Sequence, residues 1–429
     1  AAPFYYRALL DSTRIEANMT REEIDNRDNW RDMPLDELPK QDVRTFLTRF
    51  DRVFHEIERA VYREKCDWDW RLQDMPGEEM IQFTLTEAQE ARSIARVLAL
   101  KAHLEIAEGR YDDAIETLLM GYQLARHVAE QQIIISSLVG MAIHSIMADQ
   151  LETLIAAPSS PNMYWALSSL PQPFIDVRDD IEREVMLIPQ MFPFLKDAAT
   201  AERTPEQWRK LLTDSMHMLL TEGFETEDDE ELSASSRWMT LAAVMQGYPE
   251  AKRMLVDRGY TADQVDRMPV GQVAAMQIAE LNQYVTDEFV KWSYVPYAAA
   301  REGSSQTLTQ LKRERLFGPL GWSRQIIPVT GVLFPATNQA LQAAARRDLA
   351  IAVHRVIEAV RMHAAENNGT LPESLAGIEA VPVPNDPISG LPFPYQLKGE
   401  TATLTVPTSG PGDPRYGRIY EITIRKTTE

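Results

Sequence analysis

Seven histidines are the residues of this chain best suited to acid–base or metal chemistry: His55, His103, His127, His144, His217, His354 and His363. Imidazole titrates near neutrality and can bind a metal through either ring nitrogen. Their spacing narrows what they can do. No His-Glu-x-x-His run occurs, and no Glu-x-x-His pair, which removes the usual zinc-hydrolase and di-iron bundle patterns. His354 and Glu358 stand four apart, so on a helix they share a face. That spacing can hold a metal, but it recurs by chance and reads first as a surface or capping pair. His127 and His144 sit in apolar runs and read as hydrogen-bonded core histidines.

The carboxylates are similarly ambiguous. Asp179/Asp180 and Asp287/Glu288 could share acid–base work, but neighbours along a helix point to different faces. The run Glu222–Glu231 holds seven carboxylates in ten residues. Such a block repels itself and reads as a solvated loop. It lacks the alternating Asp/Asn spacing and central Gly of a calcium loop. Gly318-Pro319-Leu320-Gly321 has no following Lys-Ser/Thr and reads as a turn, not a phosphate loop. Gly303-Ser304-Ser305 lacks the G-x-S-x-G elbow and reads as a loop between helices. The single cysteine, Cys66, lies beside Trp68 and Trp70 and reads as a small buried hydrophobe. One thiol forms no intrachain disulfide and no Cys-based zinc site. No residue is therefore assigned a catalytic, cofactor-binding or metal-binding role, and no cofactor is expected.

The elements that would position these residues are mostly helical. Helical spacing of apolar residues predicts helices over Val43–Arg63, Thr86–Ala107, Asp112–Ala129 and Gln131–Ala156. It continues through Asp176–Glu184, Pro205–Leu220, Ser233–Gln246, Pro249–Arg258, Thr261–Asp266, Val270–Val290 and Gln306–Arg315. Asp67–Gly77 reads as a loop. Pro328 and Pro335 mark an apolar connector into a last helix, Gln342–Asn367, which ends at Asn368-Gly369. Three strands follow, at Phe393–Lys398, Thr401–Val406 and Ile419–Arg425, the first two joined by Gly399-Glu400. The expected division is a helical domain over 1–341, with a possible subdivision near 222–232, and a C-terminal α+β domain over 342–429.

Composition bounds the partners. With 429 residues and 44% hydrophobic content the chain can bury a large core. Eight Trp and eighteen Met could line a groove for a partner, but read first as filling that core. A net charge of −20 disfavours nucleic acid and anionic membrane surfaces, both of which need basic patches. Lys312-Arg313-Glu314-Arg315 is too small a cluster to change this. Gln131–Ala148 and Gln325–Ala345 lack charge, but Gln, Ser and His in the first and prolines in the second mark them as buried elements rather than membrane spans.

Three resemblances add to this reading. Leu98–Arg126, with EGRYDDAI at its centre, resembles a single tetratricopeptide-type hairpin in which Gly109 turns, Tyr111 packs back and Ala114 permits close approach. Gly369, Leu371-Pro372, Ser374-Leu375, Pro384, Asp386-Pro387, Pro392 and Tyr395 resemble the globular end of major type II secretion pseudopilins. That family's N-terminal membrane helix has no counterpart ahead of this helix, and its calcium loop is reduced to PTSGPGDP, with Asp413 alone. The resemblance implies the small fold, not filament assembly or calcium binding. The whole chain is similar to uncharacterised exported proteins of planctomycete bacteria, through CDWDW (Cys66–Trp70), LARHVAE (Leu124–Glu130), SSPNMYWALSSLP (Ser159–Pro171), GYPEAKRMLVDRGY (Gly247–Tyr260), MPVGQV (Met268–Val273) and DEFVKW (Asp287–Trp292).

That similarity implies export, and Ala1-Ala2-Pro3 fits what signal-peptide cleavage leaves, although a truncated chain would begin in the same way. The leading expectation is a non-enzymatic protein of the periplasm or cell envelope that binds a protein partner through its helical part. The alternative is a hydrolase with a site in a helical cleft, which would need titratable side chains converging in a deep pocket. A carrier of an apolar ligand is a third.

Overall fold

The computed structural model describes residues 1–69, 77–131, 133–221, 229–313, 329–406 and 417–424. The protein is mainly helical, with one small C-terminal sheet. Its residues form two compact units, one of 1–177 with 340–429 and one of 178–339. This grouping cuts across the linear division at 341/342. The last helix and the sheet share a unit with the first helices, and two side-chain bonds tie them there. Phe174 N–H donates to Asp348 Oδ1 at 2.9 Å, and Asn162 Nδ2 donates to the Glu358 carbonyl at 2.9 Å.

The first unit begins with α1 (Ala2–Glu16), α2 (Arg21–Asp32), α3 (Lys40–Leu47) and α4 (Asp51–Val61). One helix was expected over Val43–Arg63. Instead the chain tightens into a 3-10 turn at Thr48–Phe50. There the hydroxyls of Thr45 and Thr48 donate back to the carbonyls of Gln41 and Thr45 and compete with the regular ladder. Next come α5 (Gly77–Ala107), α6 (Tyr111–Ala129), α7 (Ile134–Ala156) and the short α8 (Tyr164–Ser168). Helices α5, α6 and α7 pack on one another and form the centre of this unit. Gly109, at φ +72°, makes the α5–α6 turn, and Ala114 is fully buried beyond it. At Gly140 a Cβ would lie 2.4 Å from the Ala125 carbonyl oxygen, so glycine lets α6 and α7 approach backbone to backbone. Among the described residues α7 alone is long and apolar enough to cross a membrane, and most of its apolar stretch is buried inside the protein.

The second unit holds α9 (Arg178–Met191), α10 (Phe194–Asp197), α11 (Pro205–Thr221), α12 (Asp229–Asp257), α13 (Ala262–Arg267), α14 (Val270–Ser293) and α15 (Tyr297–Arg313). Its core gathers Trp208, Phe194, Leu212, Leu255 and Val273. Two expected breaks do not occur. α12 runs on through Pro249, because residues on both sides of it, Val244, Tyr248, Ala251 and Leu255, serve the same core. Gly303, read as part of a loop, lies inside α15, where a Cβ would sit 2.0 Å from the Trp292 ring. The glycine makes room for that indole, whose Nε1 donates to Thr307 Oγ1. Of the acidic run, residues 222–228 lie outside the described residues, as do Trp70, residues 314–315 of the basic cluster and Gly318–Gly321.

The last helix, α16 (Val329–Glu366), starts well before Gln342 and passes through Pro335. It stops where Asn368 and Gly369 take positive φ, with Gly369 N–H donating to the Ala364 carbonyl. Strands β1 (Tyr395–Lys398), β2 (Thr401–Val406) and β3 (Arg418–Thr423) form an antiparallel sheet in the order β1-β2-β3. Ala402, Leu404 and Val406 are buried, and their partners Ile422, Tyr420 and Arg418 lie on the same face. The loop before the sheet is held locally. Asp386 accepts from Ile388 N–H and Ser389 Oγ, and Tyr395 Oη donates to the Pro372 carbonyl.

Candidate functional site

The exit of α7 and the second half of α16 are clamped together by side chains. Arg361 Nη2 donates to both the carbonyl and the hydroxyl of Ser160, each at 2.9 Å. Tyr164 Oη donates to the Pro382 carbonyl, and the Arg355 guanidinium lies 5.4 Å from the Tyr164 ring centre. Tyr111 Oη, from the start of α6, donates to the Pro158 carbonyl at 2.6 Å. Between these fixed walls and β3 lies an open cavity of about 530 Å³, within the range of ligand sites. Ile155 and Ser159 from the α7 end, His354 and Ile357 from α16, and Tyr420 and Ile422 from β3 line it.

Glu152 organises the polar end. Its Oε1 accepts from Tyr420 Oη at 2.9 Å, Arg418 Nη1 at 3.0 Å and His354 Nε2 at 3.2 Å. Burial alone would raise the Glu152 carboxyl, but the bonds from His354 and Tyr420 and the charge of Arg418 hold it below the usual carboxylate range. Burial pushes the Tyr420 phenol up to about 12, so it keeps its proton and donates. Glu358 sits behind this wall with no exposed surface. Arg361 Nη1 donates to its Oε1 at 2.7 Å, while Oε2 is buried without a hydrogen bond of normal geometry. Burial raises the Glu358 carboxyl to about 7, with Arg361 and the Met163 backbone N–H pulling it back only in part.

His354 and Glu358 thus share a helix face, as their spacing requires, yet each turns to a different partner. Among the described residues no three His, Cys, Asp or Glu side chains are grouped to hold a metal. Glu152, Tyr420, Arg418 and Arg361 carried no signal in the sequence. Glu152 lies 202 residues from His354, and only the closed fold makes them neighbours.

The remaining candidates are elsewhere. His127 anchors the N-terminal helix. Its Nδ1 accepts from Tyr5 Oη at 2.6 Å, its Nε2 faces the Arg63 carbonyl at 3.1 Å, and Trp68 Nε1 donates to its own carbonyl at 2.8 Å. Tyr5 and Trp68 stack with ring centres 5.2 Å apart, and Cys66 N–H donates to Glu130 Oε2 at 2.7 Å. Burial lowers His127 to about 4 and lifts the Cys66 thiol to about 12, so both stay neutral. His144 is fully buried against Tyr122 and Phe174, with neither ring nitrogen hydrogen-bonded. Burial holds it well below the ordinary histidine value. Asp287 and Glu288 serve Gln283 and Lys291 on their own helix. Asp180 is buried and Asp179 exposed, so the two share no surface.

No protein-family model, curated protein or solved structure matches this chain. The cavity's titratable wall groups are largely satisfied by one another, and the rest of the lining is apolar. Such a wall is suited to hold a shaped partner by contact and by a few directed hydrogen bonds.

Proposed function

We propose that the protein is a non-enzymatic component of the cell envelope that binds a partner protein in the cavity between the end of α7, α16 and β3. The observation that carries this reading is the state of the cavity's polar groups. Glu152 Oε1 already accepts three donors, and Tyr420 and Arg361 are each committed within the wall. A general base needs a free lone pair aimed at its proton, whereas a binding surface gains from a rigid, prearranged wall. The pseudopilin-like pattern of Gly369 to Tyr395 supports an envelope setting, and the α5–α6 hairpin supports a tetratricopeptide-like helical frame. The test is affinity capture from native envelope and periplasmic fractions with wild type and Ala156→Trp, which fills the exposed cavity rim. A stoichiometric partner lost in the variant supports the reading. A partner retained equally by both contradicts it.

A hydrolase is the second reading, and one observation favours it. Ser159 shares the cavity with the Glu152–His354 pair and is held at φ +60°, a strained backbone of the kind found at reactive residues. An alkyl fluorophosphonate would then phosphonylate Ser159 Oγ, with fluoride leaving, and His354→Gln would abolish labelling. Absence of labelling at Ser159 contradicts this reading.

A further inference from the structure

We infer that the outer edge of β3 receives an extended segment of a partner protein as a fourth strand, apolar side chains alternating with basic ones along it. The inference rests on the cavity being the partner site and names how the partner is held there. Among the described residues β3 pairs with β2 alone, and residues 418–424 make no other backbone–backbone hydrogen bond. Every second residue of an edge strand directs its N–H and C=O away from the sheet. The cavity runs along that edge: five consecutive residues, Tyr420 to Ile424, border it. A cavity on a sheet face would meet every second residue only.

Sheet edges are ordinarily protected by Lys, Pro or a bulge. The other edge strand, β1, is four residues long, ends in Lys398 and follows Pro392 and Pro394. β3 reads RIYEIT, with no Lys or Pro, and Ile419 is 68% exposed. Its one cation, Arg418, is drawn to Glu152. Among the described residues the edge is therefore open to main-chain pairing, the mode by which extended peptides add to sheets.

Register and charge specify the occupant. Tyr420 and Ile422 face inward with Leu404 and Ala402, whereas Glu421 and Thr423 lie on the opposite face with Thr403 and Thr401. Inward side chains of an added strand would meet Ile422, Ile155 and Ile357 and must be apolar. Outward ones would stand beside the exposed Glu421 carboxylate, where a Lys or Arg gains a cross-strand pair. The net charge of −20 favours a basic segment generally. A second copy is the poorer occupant, since it brings a further −20 and a strand with its own Glu421.

The experiment adds three acetylated, amidated heptapeptides to the full chain: alternating Lys-Val, alternating Glu-Val, and the Lys-Val peptide fully N-methylated. Affinity and amide hydrogen exchange across 418–424 are measured. The Lys-Val peptide is expected to slow exchange in β3 roughly tenfold, with the other two binding at least about tenfold more weakly. Equal binding of the N-methylated peptide, or unchanged β3 exchange at peptide saturation, overturns strand addition. The captured partner of wild type separates the two readings. If Ala156→Trp loses it while β3 exchange is the same with and without it, the cavity reading stands and strand addition falls. If Ala156→Trp keeps it, both fall.

Discussion

Two places in the first unit bring a histidine, a tyrosine and a glutamate together, and they do so to opposite ends. Around His127 the groups close on themselves. The stacked Tyr5 and Trp68 are 1% and 3% exposed, every imidazole and indole nitrogen has a partner, and α1 is pinned as a result. Around His354 the same residue types line an open cavity of about 530 Å³ and stand beside a strand edge that is unpaired among the described residues. The residues alone do not tell a structural pin from a binding site. The proposed distinction lies in the shaped cavity and in the β3 edge that, among the described residues, pairs on one side only.

That contrast can be broken most forcefully at Trp68. Trp68→Ala removes the stack on Tyr5 and leaves the His127 carbonyl without its donor. It should cost about 3–5 kcal/mol of unfolding free energy in urea titration, while partner capture by the molecules that remain folded is unchanged. Loss of capture in proportion to neither stability nor folded fraction would merge the two regions functionally.

The two regions also oppose each other in pH. His127 is depressed to about 4, so the unfolded chain binds more protons between about 6.5 and 4, and stability falls as pH falls through that window. Glu358 is raised to about 7, so the folded chain binds more protons above about 4.5. Its contribution is complete below that value and is lost as pH rises toward 7. Each effect is on the order of 3 kcal/mol. Glu358→Gln should flatten the loss between pH 4.5 and 7 in thermal or urea unfolding, leaving the acid limb in place. A variant with an unchanged upper limb would show that Glu358 does not carry it.

Smaller still is Glu152→Gln. It keeps the Tyr420 contact but removes the charge that Arg418 and His354 address. The expected cost is roughly 1–2 kcal/mol, accompanied by loosened β3, seen as faster exchange at residues 418–423. Ala156→Trp is the mildest, within about 0.5 kcal/mol of wild type because the site is exposed, yet it should abolish capture. A change of stability without a change of capture would reverse the assignment of roles.

Much of the frame was legible in the sequence. Apolar periodicity located α5, α6, α7 and α14, and Gly399 with Thr401–Val406 announced the hairpin, because these signals are local. Two misreadings came where packing overrides local preference: Pro249 is carried inside a helix whose two sides serve one core, and Gly303 is there for the Trp292 ring; Pro335 too lies inside a helix. The candidate site was almost illegible. His354 and Glu358 could be picked out as a pair, but the partner of His354 comes from α7 and the cavity's third wall from β3. Contacts across 202 and 268 residues leave no trace in spacing.

The central claim is that the cavity beside β3, and not the surface generally, holds the partner. A photo-crosslinking side chain placed at position 156, on the cavity rim, and separately at Leu119, exposed on α6, tests it directly. Irradiation in the native envelope should give one discrete adduct from position 156 and none from position 119. Equal adducts from both positions, or an adduct from 119 alone, would contradict the account.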